Sequence, residues 1–235
     1  MLDISQHFRI MPLGDSITMG EGSSTMDGYR WELANYLTEV NGWKDAEYVG
    51  SLRDGSEPNP RHEGHSGWRL DDLTAAVEPW LTATNPDVVL LHAGVNDALQ
   101  GADAATMIDR ARALLAHLLA HSGGIHVVIG DLIPPWRDPD RNVASVAAAR
   151  FNEALAHLVD ELGPRVALAR MSVIPNRLLG DGLHPCDEGY QAMAWIWLRA
   201  LGLLISPDGI VCSGRCPLPV NLPTRDLCHL GGSAA

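Results

Sequence analysis

The chain has 235 residues, 46% of them hydrophobic, and a formal net charge of −12. That length and apolar content suit one α/β domain with a sizeable core. The acidity argues against nucleic acid as a partner, because backbone phosphates are gripped by Lys and Arg clusters that this sequence lacks. No apolar run approaches the roughly 18 residues of a membrane span, so a membrane role is not expected. Residues 1–16 carry neither a basic n-region nor an apolar h-region. The expected location is the cytoplasm, although a secreted chain stripped of its leader would read the same way.

Apolar runs of strand length alternate with longer segments of helical period, the pattern of a parallel sheet covered on both faces. In chain order, strands are predicted at 8–14, 47–51, 87–93, 125–131 and 165–170. Helices are predicted at 28–40, 70–83, 104–121, 143–162 and 187–201, the fourth with the stripe Phe151, Leu155, Leu158, Val159 and Leu162 on one side. Right-handed crossovers then give a doubly wound, three-layer α/β/α domain over residues 1–202. It has a five-stranded parallel sheet and a ligand site at the carboxyl ends of its strands.

Residues 203–235 read as an irregular tail, with four prolines, several glycines and no periodic stretch. Cys186 lies in the body of the chain, and Cys212, Cys216 and Cys228 lie in the tail. An intracellular protein would keep them as thiols and a secreted one could pair two of the tail cysteines. The Cys-x3-Cys spacing followed by Cys228-His229 fits no common zinc pattern, so no metal is assigned.

The first strand ends in Gly14-Asp15-Ser16, placing a serine where the chain leaves the sheet at the ligand-binding end. A hydroxyl is a poor nucleophile until a base takes its proton, and a capping role competes with a catalytic one here. A base stands far downstream in Asp181-Gly182-Leu183-His184-Pro185. There the three-residue spacing can set a carboxylate against the imidazole, fixing its tautomer and stabilising the imidazolium that forms on proton transfer. Two further segments offer donors for a developing oxyanion. Asn96 in Gly94-Val95-Asn96-Asp97 follows the third strand. Gly67, in the loop His62-Glu63-Gly64-His65-Ser66-Gly67-Trp68, can present a backbone N–H without a side chain in the way. Helix capping and a turn are the plainer readings of these two.

Together Gly14–Ser16, Gly67, Gly94–Asp97 and Asp181–His184 resemble the four blocks of the SGNH (GDSL-type) hydrolase superfamily, in the family's order, over residues 8 to about 201. The resemblance implies a flavodoxin-like fold and a triad of Ser16, His184 and Asp181. It also implies an oxyanion hole made by the Ser16 and Gly67 amides with Asn96. The HEGHSGW segment and the short GDSIT block are similar to the carbohydrate esterase family 3 group, which implies removal of acetyl groups from sugars. Trp68 and Trp136 then become candidate substrate-binding residues, as platforms for a sugar ring or walls of an acyl pocket, with ordinary packing as the alternative.

Several rivals are weaker. Ser66 lacks the full G-x-S-x-G elbow, because Trp68 stands where glycine is needed. Of the histidines that suggest a metal, His92 lies inside an apolar strand and is more simply a core side chain. Cys186 is not needed as a nucleophile once Ser16 explains His184. The expected activity is hydrolysis of small acyl esters, acetyl esters of carbohydrates included, with no metal or organic cofactor and a small-molecule ester as the partner. An acyltransferase, or a tailoring esterase or thioesterase of a small metabolite, would carry the same blocks. A non-catalytic carbohydrate-binding module is the alternative of a different class.

Overall fold

A computed structural model describes residues 7–39, 46–56, 58–121, 124–133 and 142–205. Its centre is a mixed sheet built around β1 (Phe8–Gly14), β5 (Val88–His92) and β6 (His126–Gly130), with β7 (Val166–Ala169) beside β6. These four run parallel in the order β1-β5-β6-β7. β5 and β6 are buried along their whole length, as continuous apolar runs in a parallel sheet demand.

The other side of β1 departs from the expected five parallel strands, because the sheet has seven. β2 (Ala46–Tyr48) pairs with Phe8–Ile10, and β4 (Arg61–Gly64) takes over at Leu13–Gly14, both parallel to β1. β3 (Leu52–Arg53) pairs antiparallel with β4. Hydropathy hides β4 because its sequence is Arg-His-Glu-Gly, yet His62 and Glu63 are fully buried. Specific partners make that burial possible. Glu63 accepts from the Ser51 amide and hydroxyl and faces His65 Nε2 at 3.1 Å, and His62 Nδ1 accepts from Gly64 N at 3.0 Å. The segment expected to be a loop therefore begins as a strand.

Alternate strand residues separate the two cores. Ile10, Val88, Leu90 and Val128 face α2 (Arg30–Glu39) and α7 (Asp187–Ile205), while Leu13, Val89, Leu91 and Val127 face α3 (Leu70–Thr84), α5 (Ala104–His121) and α6 (Asn142–Leu162). This is the expected three-layer arrangement. The Phe151, Leu155, Leu158 and Val159 stripe of α6 is buried. Two short helices, α1 (Ser16–Met19) and α4 (Val95–Leu99), were not predicted, being too short to show a period. α7 continues past the expected boundary at 202, and Cys212, Cys216 and Cys228 lie outside the described residues. None of the described helices is long and apolar enough to cross a membrane.

Because α2 and α3 leave from neighbouring positions but cover opposite faces, the carboxyl end of β1 is the crevice where such sheets hold ligands. The turn there is braced by Arg30, whose buried guanidinium donates to the carbonyls of Thr18, Met19 (3.0 Å), Met26 (2.9 Å) and Asp54 (2.6 Å). Asp15 caps α1 by accepting from Ile17 N at 3.0 Å, while its Oδ2 has no partner among the described residues. Burial raises the Asp15 carboxyl from 3.8 to about 7. The Ile17 amide and His184 pull it down, and Asp97 and Glu21 push it further up.

The folded state therefore holds a proton that the unfolded chain releases above about pH 4, so this group costs stability increasingly as pH rises toward 7. Asp15→Asn keeps the acceptor for Ile17 and removes the titration. Its stability gain over the wild type should be near zero at pH 4 and should grow through pH 7, read from urea unfolding at each pH. A difference that does not vary with pH would contradict the raised carboxyl.

Candidate active site

Ser16 is the first residue of α1, buried at 5% exposure, and its Oγ lies 2.9 Å from His184 Nε2. His184 Nδ1 faces Asp181 Oδ2 at 2.7 Å. The turn before α7 holds this carboxylate by local bonds, since Asp181 Oδ1 accepts from Leu183 N at 2.9 Å and His184 N at 2.7 Å. Partial burial pushes the Asp181 carboxyl up, but the imidazole and the two amides outweigh it and hold the group at about 2, below its usual 3.8. A proton on Nδ1, donated to Asp181, leaves the Nε2 lone pair facing the Ser16 hydroxyl, the arrangement a general base requires.

Sheet register brings the other expected segments to the same end. Gly14 of β1 pairs with Gly64 of β4 on one side and with His92 of β5 on the other. Ser16, Gly67 and Asn96 thus follow closely on three adjacent, parallel strand ends. Gly67 has φ +79° and nothing within 4 Å of where a Cβ would stand, so its backbone is uncovered on that side. Asn96 Nδ2 donates to Trp68 O at 3.0 Å, which ties the α4 end to the Gly67 turn, and its second amide hydrogen takes no acceptor among the described residues. Behind it, Asp97 is fully buried and anchors α4 by accepting from Leu70 N at 3.0 Å and Arg110 Nη1 at 2.7 Å.

Trp68 is half-buried and engaged in packing. His65 stacks on both Trp68 (ring centroids 4.3 Å apart) and Trp80 (4.6 Å), whose own rings lie 6.1 Å apart. Trp136 lies outside the described residues. Ser66 is exposed, and Cys186 is a partly buried free thiol packed against the core. His92 is a core side chain, and burial lowers it to about 4. Among the described residues, no group of three or more His, Cys, Asp or Glu side chains is placed to hold a metal ion. One neighbour escaped the reading of the sequence: Glu21 Oε2 is 3.5 Å from His184 Nε2. Its only local signal is a lone charge between two glycines just after the serine turn.

The family model for the GDSL-like lipase/acylhydrolase family matches residues 13–192. A multidomain esterase of Ruminococcus flavefaciens is 28% identical over 230 residues, covering 86% of this chain; the chain spans 29% of that relative's length. Among solved structures, a family 3 carbohydrate esterase of Clostridium thermocellum superposes with a TM-score of 0.73 at 30% identity, covering 86% of this chain and 99% of that one. A family 3 carbohydrate esterase from Talaromyces cellulolyticus gives 0.69 at 26% identity, covering 81% and 94% respectively. An acetyl esterase, solved as a serine-to-alanine mutant with an acetate ion, gives 0.68 at 25% identity, covering 80% and 93%. With its three-layer fold, and with four motif blocks gathered at one end of the sheet, the chain belongs to the GDSL-like lipase/acylhydrolase family.

Proposed function

We propose that this protein removes small acyl groups, acetyl foremost, from esters of carbohydrates by two-step acyl transfer through Ser16. The observation that carries the proposal is the chain of hydrogen bonds from Ser16 Oγ to His184 (2.9 Å) and from His184 to Asp181 (2.7 Å). In this reading His184 Nε2 takes the hydroxyl proton as Oγ attacks the ester carbonyl, and Asp181 stabilises the resulting imidazolium. The same nitrogen then protonates the departing alcohol. A water molecule, deprotonated by His184, next attacks the acyl-enzyme, and collapse of that intermediate returns the proton to Ser16.

The oxyanion would be met by the Ser16 amide, which as the first amide of α1 has no partner within the helix, and by Gly67 N–H and Asn96 Nδ2. Trp68, next to Gly67 and bonded to Asn96 through its carbonyl, is the proposed wall of the substrate site. The acetyl and carbohydrate parts of the proposal are supported by the carbohydrate esterase and acetyl esterase structures that this chain resembles.

Ser16→Ala should abolish turnover of p-nitrophenyl acetate and covalent labelling by a fluorophosphonate; retained turnover would refute the nucleophile. Asn96→Ala should lower kcat by about a hundredfold or more with a smaller change in KM, and an effect confined to KM would remove Asn96 from the oxyanion hole. Across p-nitrophenyl acetate, butyrate and octanoate, kcat/KM should be highest for acetate. A maximum at octanoate would instead point to lipid or thioester substrates.

A further inference from the structure

The loop after α1 brings a second carboxylate to the nitrogen that faces Ser16. Glu21 N donates to Ser16 O at 3.0 Å, and Glu21 O accepts from the Tyr190 hydroxyl at 2.6 Å, so the backbone of this residue is held on both sides. The next residue, Gly22, has φ +90°. A Cβ there would lie 2.7 Å from His184 Cβ and 2.8 Å from Pro185 O, so the loop crosses the histidine too closely for any side chain. The outcome is a Glu21 carboxylate 3.5 Å from His184 Nε2, with about a third of its side chain (34%) open to solvent. It accepts no hydrogen bond from the described residues.

If His184 returns its proton to the departing alcohol, as proposed above, the ester oxygen must come within hydrogen-bond reach of Nε2. The Glu21 carboxylate, beside the same nitrogen, then adjoins the alcohol half of the substrate. A hydroxyl on the carbon adjacent to the one that bears the ester oxygen spans the gap between the two. It is a donor, and Glu21 is a charged acceptor that takes no hydrogen bond from the described residues, the pairing that gives the stronger class of hydrogen bond. An alcohol without that hydroxyl leaves the carboxylate to water, and an anionic alcohol meets like charge.

We infer that Glu21 is a specificity residue for the leaving alcohol, accepting a hydrogen bond from a hydroxyl vicinal to the scissile ester, so that esters of diols and polyols are favoured over esters of simple alcohols. This inference rests on the reaction proposed for Ser16 and His184. Any effect of Glu21 on the imidazolium itself acts on every ester and cancels in a ratio of two substrates.

The test compares glycerol 1-acetate with propyl acetate, which has the same carbon skeleton without the extra hydroxyls. The kcat/KM ratio of the first to the second should fall by about tenfold or more in Glu21→Ala, and by less in Glu21→Gln, which keeps a neutral acceptor. Because both rates are measured on one preparation, incomplete folding of a variant cannot change the ratio. An unchanged ratio in Glu21→Ala overturns the assignment even if both rates drop. Ser16→Ala, assayed alongside, should cleave neither ester; if it cleaves both, the underlying reaction fails, independently of Glu21.

Discussion

The bond between Ser16 Oγ and His184 Nε2 joins residues 168 positions apart, and much of the molecule serves to hold its two ends in register. One end is fixed by β1, by the Asp15 cap and by Arg30, whose donors reach the Thr18 carbonyl before the Gly20–Gly28 loop and the Met26 carbonyl within it. The other end is fixed by the Asp181 turn, which uses its own amides to seat the carboxylate before the imidazole meets it. Glu21 and Tyr190 then link the two directly, since α7 supplies the hydroxyl and the serine loop supplies the carbonyl. Each contact is modest by itself. Together they fix a serine and a histidine at hydrogen-bonding distance before any substrate arrives, and such preorganisation removes orientational cost from the proposed reaction.

Three carboxylates around this bond differ in what solvates them. Asp15 is fully buried with one amide donor to one of its oxygens, and burial lifts it to about 7. Asp181 is more than half exposed, takes two amides and an imidazole, and falls to about 2. Within the proposed chemistry the second is the useful state, because a carboxylate that stays ionised can balance an imidazolium. Glu21 has neither environment. Its charge stands at the solvent edge, where a ligand can reach it.

The edge of β1 shows how polar sequence can build a sheet. β2 covers only its first half, and the remaining ladder positions are filled by β4, whose glutamate meets Ser51 and His65 and whose histidine takes the Gly64 amide at Nδ1 and faces Asp54 at Nε2. This pairing sets Gly64 opposite Gly14 and so brings the Gly67 turn to the same end of the sheet as the serine. At the same turn His65 stacks on Trp68 and on Trp80.

Periodicity alone determined the layers: the apolar runs now in β1, β5, β6 and β7, and the stripes of α3, α5, α6 and α7, are legible because burial on two faces or on one leaves a fixed spacing in the sequence. Motif chemistry likewise pointed to Ser16, Gly67, Asn96, Asp181 and His184, since few residue types can attack, relay a proton or donate to an oxyanion. Tertiary structure decided the rest. It made a strand of Arg61–Gly64, turned Trp68 onto His65, began short helices at Ser16 and Val95, and laid Glu21 against His184. None of these leaves a local pattern, because each depends on partners supplied by distant parts of the chain, and a polar side chain's burial or exposure is settled only when those partners meet.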